Sequence, residues 1–297
     1  MNIIMNATPQ YIVSCQLMGG LGNQLFQIFT TMAYGIRNKR KFIFPYSETL
    51  NIGISRNTYW DTFLSMLKPI TTFNEKHGFT NNDFSRFQRL REFAFHYHFI
   101  PNLQESLLLL TGYYQSYKYF ENEKTTLFSM IRLDHQQERI KHEIDLLRDD
   151  DHKVSMHFRL GDYKNIQHMH PLMKYEYYER AIERILETRG DKKIKILYFC
   201  EKIDNEEVNA HILKLREKFP FLYFIKIDDD LPDWKQMLIM SCCHDNIIAN
   251  STFSWWGAYF NQHSDKIVCF PSVWFGPGLK HDVSDLFPIK WVKIDTK

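Results

Sequence analysis

The sequence predicts an α/β protein whose second half is a doubly wound parallel sheet, and three observations predict it. From residue 154 onward, short apolar runs alternate with amphipathic helical stretches. Those runs are continuously apolar, the pattern of strands covered on both faces. The chain also opens with strand, glycine turn, helix and strand, one βαβ unit. A length of 297 residues suits about two domains.

The first strand is expected in YIVSCQL (Tyr11 to Leu17). After GGLGNQ comes a helix whose Leu25, Ile28, Phe29 and Met32 share one face, and then a second strand in KFIFPY. Residues 51–110 mix short helices with aromatic-rich loops and yield little. LTGYYQS reads as a strand end and 118–131 as helical. The charged run DHQQERIKHEIDLLRDDD has weak apolar periodicity. It is expected to be a solvated helix and to mark the boundary, a charged linker at about 134–152, dividing domain 1–150 from domain 151–297. Strands then follow in VSMHFRL, IKILYFCE, FLYFIKID, DNIIAN and KIVCFP. Between them lie helices at 174–188, 205–218 and 233–243, and one beginning in STFSWWGAYFNQ.

Composition excludes several classes. Net charge is +2, so nothing advertises a general polyanion binder and no nucleic acid is expected. Five cysteines, an odd number without a CxxC pair, indicate neither a disulfide framework nor a zinc site; a reducing, cytoplasmic compartment fits. The N-terminus lacks the basic start and apolar core of a signal peptide. The longest apolar run, Leu107 to Leu110, is far short of the roughly 20 residues a bilayer requires, so membrane attachment, if any, is peripheral. Aromatics reach 15 per cent, which suits sugar stacking and core packing equally.

In doubly wound domains ligands bind beyond the carboxyl ends of the strands. HFRLGDY stands at such an end. Alternation puts Val154, Met156, Phe158 and Leu160 on one face and Ser155, His157 and Arg159 on the other. Buried polar groups need partners. Arg159 therefore either pairs with Asp162 or aims its forked donors at an anionic ligand, with His157 beside it. NSTFSWWG follows another strand. One of Asn250, Ser251 and Thr252 caps the next helix, whose free N–H groups make an anion site, with Ser254 adding a hydroxyl. Phe253 packs in the core or lines that site. In MGGLGNQLFQ the glycines, Gly20 and Gly22 among them, form no complete dinucleotide fingerprint. They permit a tight turn, and Asn23 and Gln24 can hydrogen-bond there. Asp228 and Asp230 spell DxD, which could hold a divalent metal, stay a solvated turn, or lend a carboxylate to a ribose or base. His168 and His170 follow the arginine loop and could face an acceptor, as could Tyr163. No nucleophile elbow or metal-binding histidine spacing occurs.

GGLGNQLFQ, HFRLGDY and NSTFSWWGAYF, in that order, resemble the α-1,2-fucosyltransferases of glycosyltransferase family 11. GYYQSYKYF, FCE, the helix around DWKQMLIMSC and the terminal WVKI add to the likeness. The resemblance implies a GT-B fold: two Rossmann-like domains facing across a cleft, with the acceptor largely on the first and the nucleotide sugar on the second. It implies inverting transfer of L-fucose from GDP-β-L-fucose to the 2-hydroxyl of a terminal galactose on a glycan, without metal or cofactor. Arg159 would grip the diphosphate, assisted by Ser251, Thr252, Ser254 and the helix start. Asn23 would lie near the fucose, and Asp162 would organise the loop or the acceptor. One departure stands out: the family usually has a second arginine where this chain has Leu160. By the alternation above, Leu160 packs rather than binds. The proton acceptor is left open among Asp162, His157 and His168. The rival readings are a metal-dependent glycosyltransferase using Asp228 and Asp230, and a carbohydrate or nucleotide binder without turnover.

Overall fold

A computed structural model describes residues 11–51, 53–190 and 192–297. The N-terminal stretch read for a signal peptide lies mostly outside them. The chain forms two compact units, residues 1–132 with 282–287 and residues 133–281 with 288–297.

The first unit is built on β1 (Ile12–Cys15), α1 (Leu21–Arg37), β2 (Lys41–Phe42), the short antiparallel pair β3 (Thr49–Leu50) and β4 (Arg56–Asn57), β5 (Gln88–Arg91), β6 (Leu107–Thr111) and α2 (Lys124–Met130). Its parallel sheet has the order β2-β1-β6-β5. The opening βαβ unit is present as expected. Residues 51–110, which yielded little as sequence, hold three 3₁₀ turns, then the sheet strand β5, and a loop that leads into β6. Helix α1 is buried on every face from Leu21 to Gly35 except at Asn23. Its buried polar positions are partly satisfied within the unit: the Thr31 hydroxyl donates to the Gln27 carbonyl at 2.7 Å, and the Gln24 amide donates to the carbonyls of Gly19 and Asn57.

The second unit comprises α3 (Leu133–Glu143), β7 (His152–His157), α4 (Tyr175–Arg189), β8 (Ile194–Phe199), α5 (Asn205–Lys218), β9 (Tyr223–Lys226), α6 (Asp233–Ser241), β10 (Asp245–Ile247), α7 (Thr252–Phe260), β11 (Val268–Pro271) and β12 (Val292–Ile294). All six strands are parallel, in the order β12-β11-β10-β7-β8-β9. β7 is buried at every position although four of its six residues are polar. The α/β class with parallel sheets is therefore the one the chain adopts.

The charged run is helical, as expected, but it does not lie between the two units. Most of it is helix α3, which belongs to the second unit and packs on α6. Only Leu133, Gln137 and Ile140 of α3 are buried, so the apolar period is sparse. Gln137 stands where a hydrophobe would, and its amide donates to Ser241 Oγ at 2.9 Å and to the Phe260 carbonyl at 3.0 Å.

Candidate active site

Strand β7 ends at His157, so Arg159 is carried just past the carboxyl edge of the second sheet. The glycine two residues on explains the turn. Gly161 has φ +39°, and a Cβ there would come within 2.6 Å of a Glu201 carboxylate oxygen. Its N–H donates to Asp204 Oδ2 at 2.8 Å, and the buried Asp204 also pairs with Lys164 at 2.9 Å. This fixes the loop that presents Arg159. The guanidinium is held by three groups: Glu201, to which Nη1 donates, Asp162, to which Nη2 donates at 2.6 Å, and the Tyr163 ring, 5.0 Å from its centre. The Arg159–Asp162 pair considered from the sequence exists.

Glu201 was not singled out from the sequence. It lies 42 residues from Arg159, two past the end of β8, and only the adjacency of β7 and β8 in the sheet brings them together. The signal that could have found it is the carboxyl-edge rule applied to the next strand.

His157 is buried, with its ring 5.5 Å from that of Phe253. Burial, with Arg159 and Lys226 adding to it, pushes its pKa down to about 3, so the imidazole stays neutral near pH 7. Its Nδ1 is buried with no hydrogen-bond partner among the described residues. Such an atom is costly to leave unsatisfied and marks where a ligand polar group would fit. Leu160 is 5 % exposed and belongs to the core cluster that holds Val154, Met156 and Phe158. The face alternation read from the sequence is what the packing shows.

Beyond β10, Ser251 caps α7: its side chain accepts from the Phe253 N–H at 3.3 Å. Ser254 Oγ turns back to the Ser251 carbonyl at 3.4 Å, and Thr252 opens the helix. Asn250 is an anchor rather than a cap: its amide donates to the carbonyls of Pro171 at 2.9 Å and Trp274 at 3.2 Å. Tyr163 links this edge to the arginine loop, its hydroxyl donating to the Asn250 carbonyl at 3.3 Å and its ring stacking on His170 at 4.6 Å. Burial lowers the His170 pKa and raises that of Tyr163. His168 is exposed, and its carbonyl accepts from the Gly278 N–H at 2.8 Å.

The Asp228–Asp230 turn follows β9, next to β8. Lys202 pairs with Asp230 at 2.9 Å, Lys226 and Asn205 bind Asp229, and Asp228 accepts from the Asp230 N–H at 2.9 Å. Among the described residues no group of three or more His, Cys, Asp or Glu side chains could hold a metal ion.

The structure thus brings His157, Arg159, Asp162, Tyr163, Ser251, Thr252, Phe253 and Ser254 to one edge of one sheet. Gly20, Gly22 and Asn23 belong to the first unit. There Gly19, with φ +76°, makes the turn, Gly20 precedes α1 and Asn23 Oδ1 accepts from the Gln115 amide at 3.0 Å. Gly20 has open space where a Cβ would be, so neither sterics nor φ demands glycine at that position.

Among the described residues no helix is long and apolar enough to cross a membrane. The chain is 27% identical to the O-antigen biosynthesis glycosyltransferase WbnK of Escherichia coli, over 95% of this chain and 99% of that one. It is 26% identical to the Alpha-1,2-colitosyltransferase of Escherichia coli, over 96% and 99%. A solved structure of Arabidopsis thaliana FUT1 in complex with GDP is similar at TM-score 0.48 and 11% identity, covering 87% of this chain and 70% of that one. The family model for Glycosyl transferase family 11 matches residues 10–295, and with an edge of this construction behind that match the chain belongs to glycosyl transferase family 11 and is a glycosyltransferase.

Proposed function

We propose that this glycosyltransferase moves L-fucose from GDP-β-L-fucose to the 2-hydroxyl of a terminal galactose on a glycan, inverting the anomeric configuration and using no metal. The observation that carries the donor half is Arg159. It is a forked cation at a strand's carboxyl edge, balanced by two half-exposed carboxylates that a diphosphate can replace. The second unit accordingly takes the nucleotide sugar and the first the acceptor.

On this reading Arg159 exchanges Glu201 and Asp162 for phosphate oxygens. It then stabilises the charge that develops on the leaving diphosphate, the largest electrostatic demand of the step. Helix α7 turns its first N–H groups and the Thr252 and Ser251 side chains to the same anion. Neutral His157 supplies its unpartnered nitrogen to a donor hydroxyl or phosphate oxygen. Phe253 packs beside it, and Asp228 contacts the nucleoside. Asn23 contacts the fucose, with its amide oriented by Gln115. Tyr163 and His168 face the acceptor. The lysines on Asp229 and Asp230 favour a metal-free site, because their charges already occupy the place a cation would take.

A second donor has its own support. One relative is by name an Alpha-1,2-colitosyltransferase, and colitose is fucose lacking its 3-hydroxyl. The α-1,2 linkage fits both donors. Purified protein is given GDP-fucose or GDP-colitose with a galactose-terminated acceptor, with and without EDTA, and GDP release is measured. Acceptor-dependent release from GDP-fucose that survives EDTA supports the first reading. Preference for GDP-colitose supports the second. Loss in EDTA, restored by Mn²⁺, returns the site to Asp228 and Asp230.

A further inference from the structure

Glu92 lies one residue beyond β5, at the carboxyl edge of the first unit's sheet, where β1 and β6 also end. Its N–H donates to the Thr111 carbonyl at 2.8 Å, which prolongs the pairing of β5 with β6. Its carboxylate turns onto the loop after β6. One oxygen accepts from the Tyr113 N–H at 2.7 Å and the other from the Tyr114 N–H at 2.9 Å.

The loop is strained to make this approach. Gly112 has φ +156°, and a Cβ there would stand 2.3 Å from Glu92 Cβ. Tyr114 is buried with φ +52°, a left-handed conformation that costs a non-glycine residue of order 1 kcal/mol or more. At its far end the loop is tied by Gln115 to Asn23. Three residues, Tyr113 to Gln115, therefore run from the Glu92 carboxylate to the asparagine that the proposed function puts on the sugar. The motif GYYQ, noted for its family likeness, is this loop.

Two aromatic rings stand in solvent beside it. Phe93 is 84 % exposed and Tyr113 40 %, while the Phe93 ring rests edge-on against His98 at 4.8 Å. Exposed rings next to a hydrogen-bonding group form a surface suited to a sugar, which has one apolar face and a rim of hydroxyls.

The two loop amides hold this carboxylate without a counter-charge. No lysine, arginine or histidine pairs with Glu92 among the described residues, and burial pushes its pKa up to about 7 against the pull of the two amide bonds. The titratable groups facing it are the phenols of Tyr114 and Tyr119, both raised by burial and neutral across the physiological range. Each carboxylate oxygen keeps a second lone pair.

We propose that Glu92 is the base of the transfer reaction, taking the proton from an acceptor hydroxyl whose sugar ring lies against Tyr113 and Phe93. The acceptor oxygen bonds to the anomeric carbon as the bond from that carbon to the diphosphate oxygen breaks, its electron pair leaving on the nucleoside diphosphate. The hydroxyl proton passes to Glu92 and later to water. This rests on the glycosyl transfer proposed above.

The test compares wild type with Glu92→Gln, measuring kcat from pH 5.5 to 9, GDP affinity by calorimetry and thermal melting. We expect wild-type kcat to rise with pH through an ionisation near 7. In the variant kcat falls 10²- to 10⁴-fold and that ionisation is gone, while GDP affinity stays within about twofold. Phe93→Ala and Tyr113→Ala should raise the acceptor KM and leave the donor KM unchanged. A wild-type profile flat between pH 6 and 8 overturns the proposal whether or not the variant folds. So does a variant with wild-type kcat, or one whose lost activity follows lost GDP binding. Wild type that neither binds GDP nor transfers brings down the fucosyl-transfer reading as well, and calorimetry separates that case from failure of Glu92 alone.

Discussion

Replacing Arg159 with alanine should abolish donor use and leave the fold nearly untouched, and the structure supplies both magnitudes. The partners of Arg159 are half exposed, Glu201 at 50 % and Asp162 at 46 % of their side-chain surface. Ion pairs with partners in water are worth about 0–1 kcal/mol, so the melting temperature should move by no more than a few degrees. Binding is a different matter. Two guanidinium nitrogens now on carboxylates would each hold a phosphate oxygen, and charge-assisted bonds of that kind contribute roughly 1.5–3 kcal/mol each. The loss of about 3–6 kcal/mol corresponds to about 10²- to 10⁴-fold in kcat/KM for the donor. The assay is GDP release at subsaturating donor, with GDP titrated calorimetrically in parallel. Arg159→Lys, which keeps the charge and loses the fork, should fall between. A folded alanine variant with kcat/KM within threefold of wild type would show that Arg159 does not grip the diphosphate.

Leu160→Arg should lower stability by about 3 kcal/mol or more, since it removes a buried side chain worth roughly 2 kcal/mol and buries a charge; a variant that melts like wild type and binds GDP more tightly refutes the packing role. Gly161→Ala forces a Cβ against Glu201 at φ +39°, and should cost about 1–2 kcal/mol and raise the donor KM severalfold, as steady-state kinetics will tell. His157 has its folded pKa depressed to about 3, so its contribution to stability is present above the unfolded value near 6.5 and is lost as pH falls towards 3. Denaturant titrations from pH 7 to 4 should show a steeper loss in wild type than in His157→Phe, and parallel slopes would count against the buried neutral imidazole. Transfer activity should be unchanged by EDTA; loss reversed by Mn²⁺ would reassign Asp228 and Asp230.

How much of this was legible in the sequence depended on whether a residue's partner lay nearby along the chain. Strands of the second unit announced themselves because both faces are buried, and the helices between them carried clean apolar faces, as in Tyr178, Ala181, Ile182 and Ile185 of α4. β5 did not: QRLR is an edge strand, mostly exposed and with an arginine at two of four positions, so neither periodicity nor composition marks it. Helix α3 showed only a weak apolar period because Gln137 stands at a core position and satisfies its amide across α6 and α7, a contact more than a hundred residues away. The candidate site divides in the same way. Arg159 and Asp162 are three residues apart and could be paired on paper, whereas Glu201 entered only through the order of strands in the sheet. Leu160 shows what local reasoning can still decide. Strand alternation alone assigned it to the core side, and the core is where it packs. An arginine at that position would have to leave the face it occupies to reach an anion beside Arg159. The chain's departure from the usual family pattern is therefore no simple deletion of a phosphate contact. It puts an apolar side chain where this loop, turning at Gly161, would otherwise bury a charge at a cost.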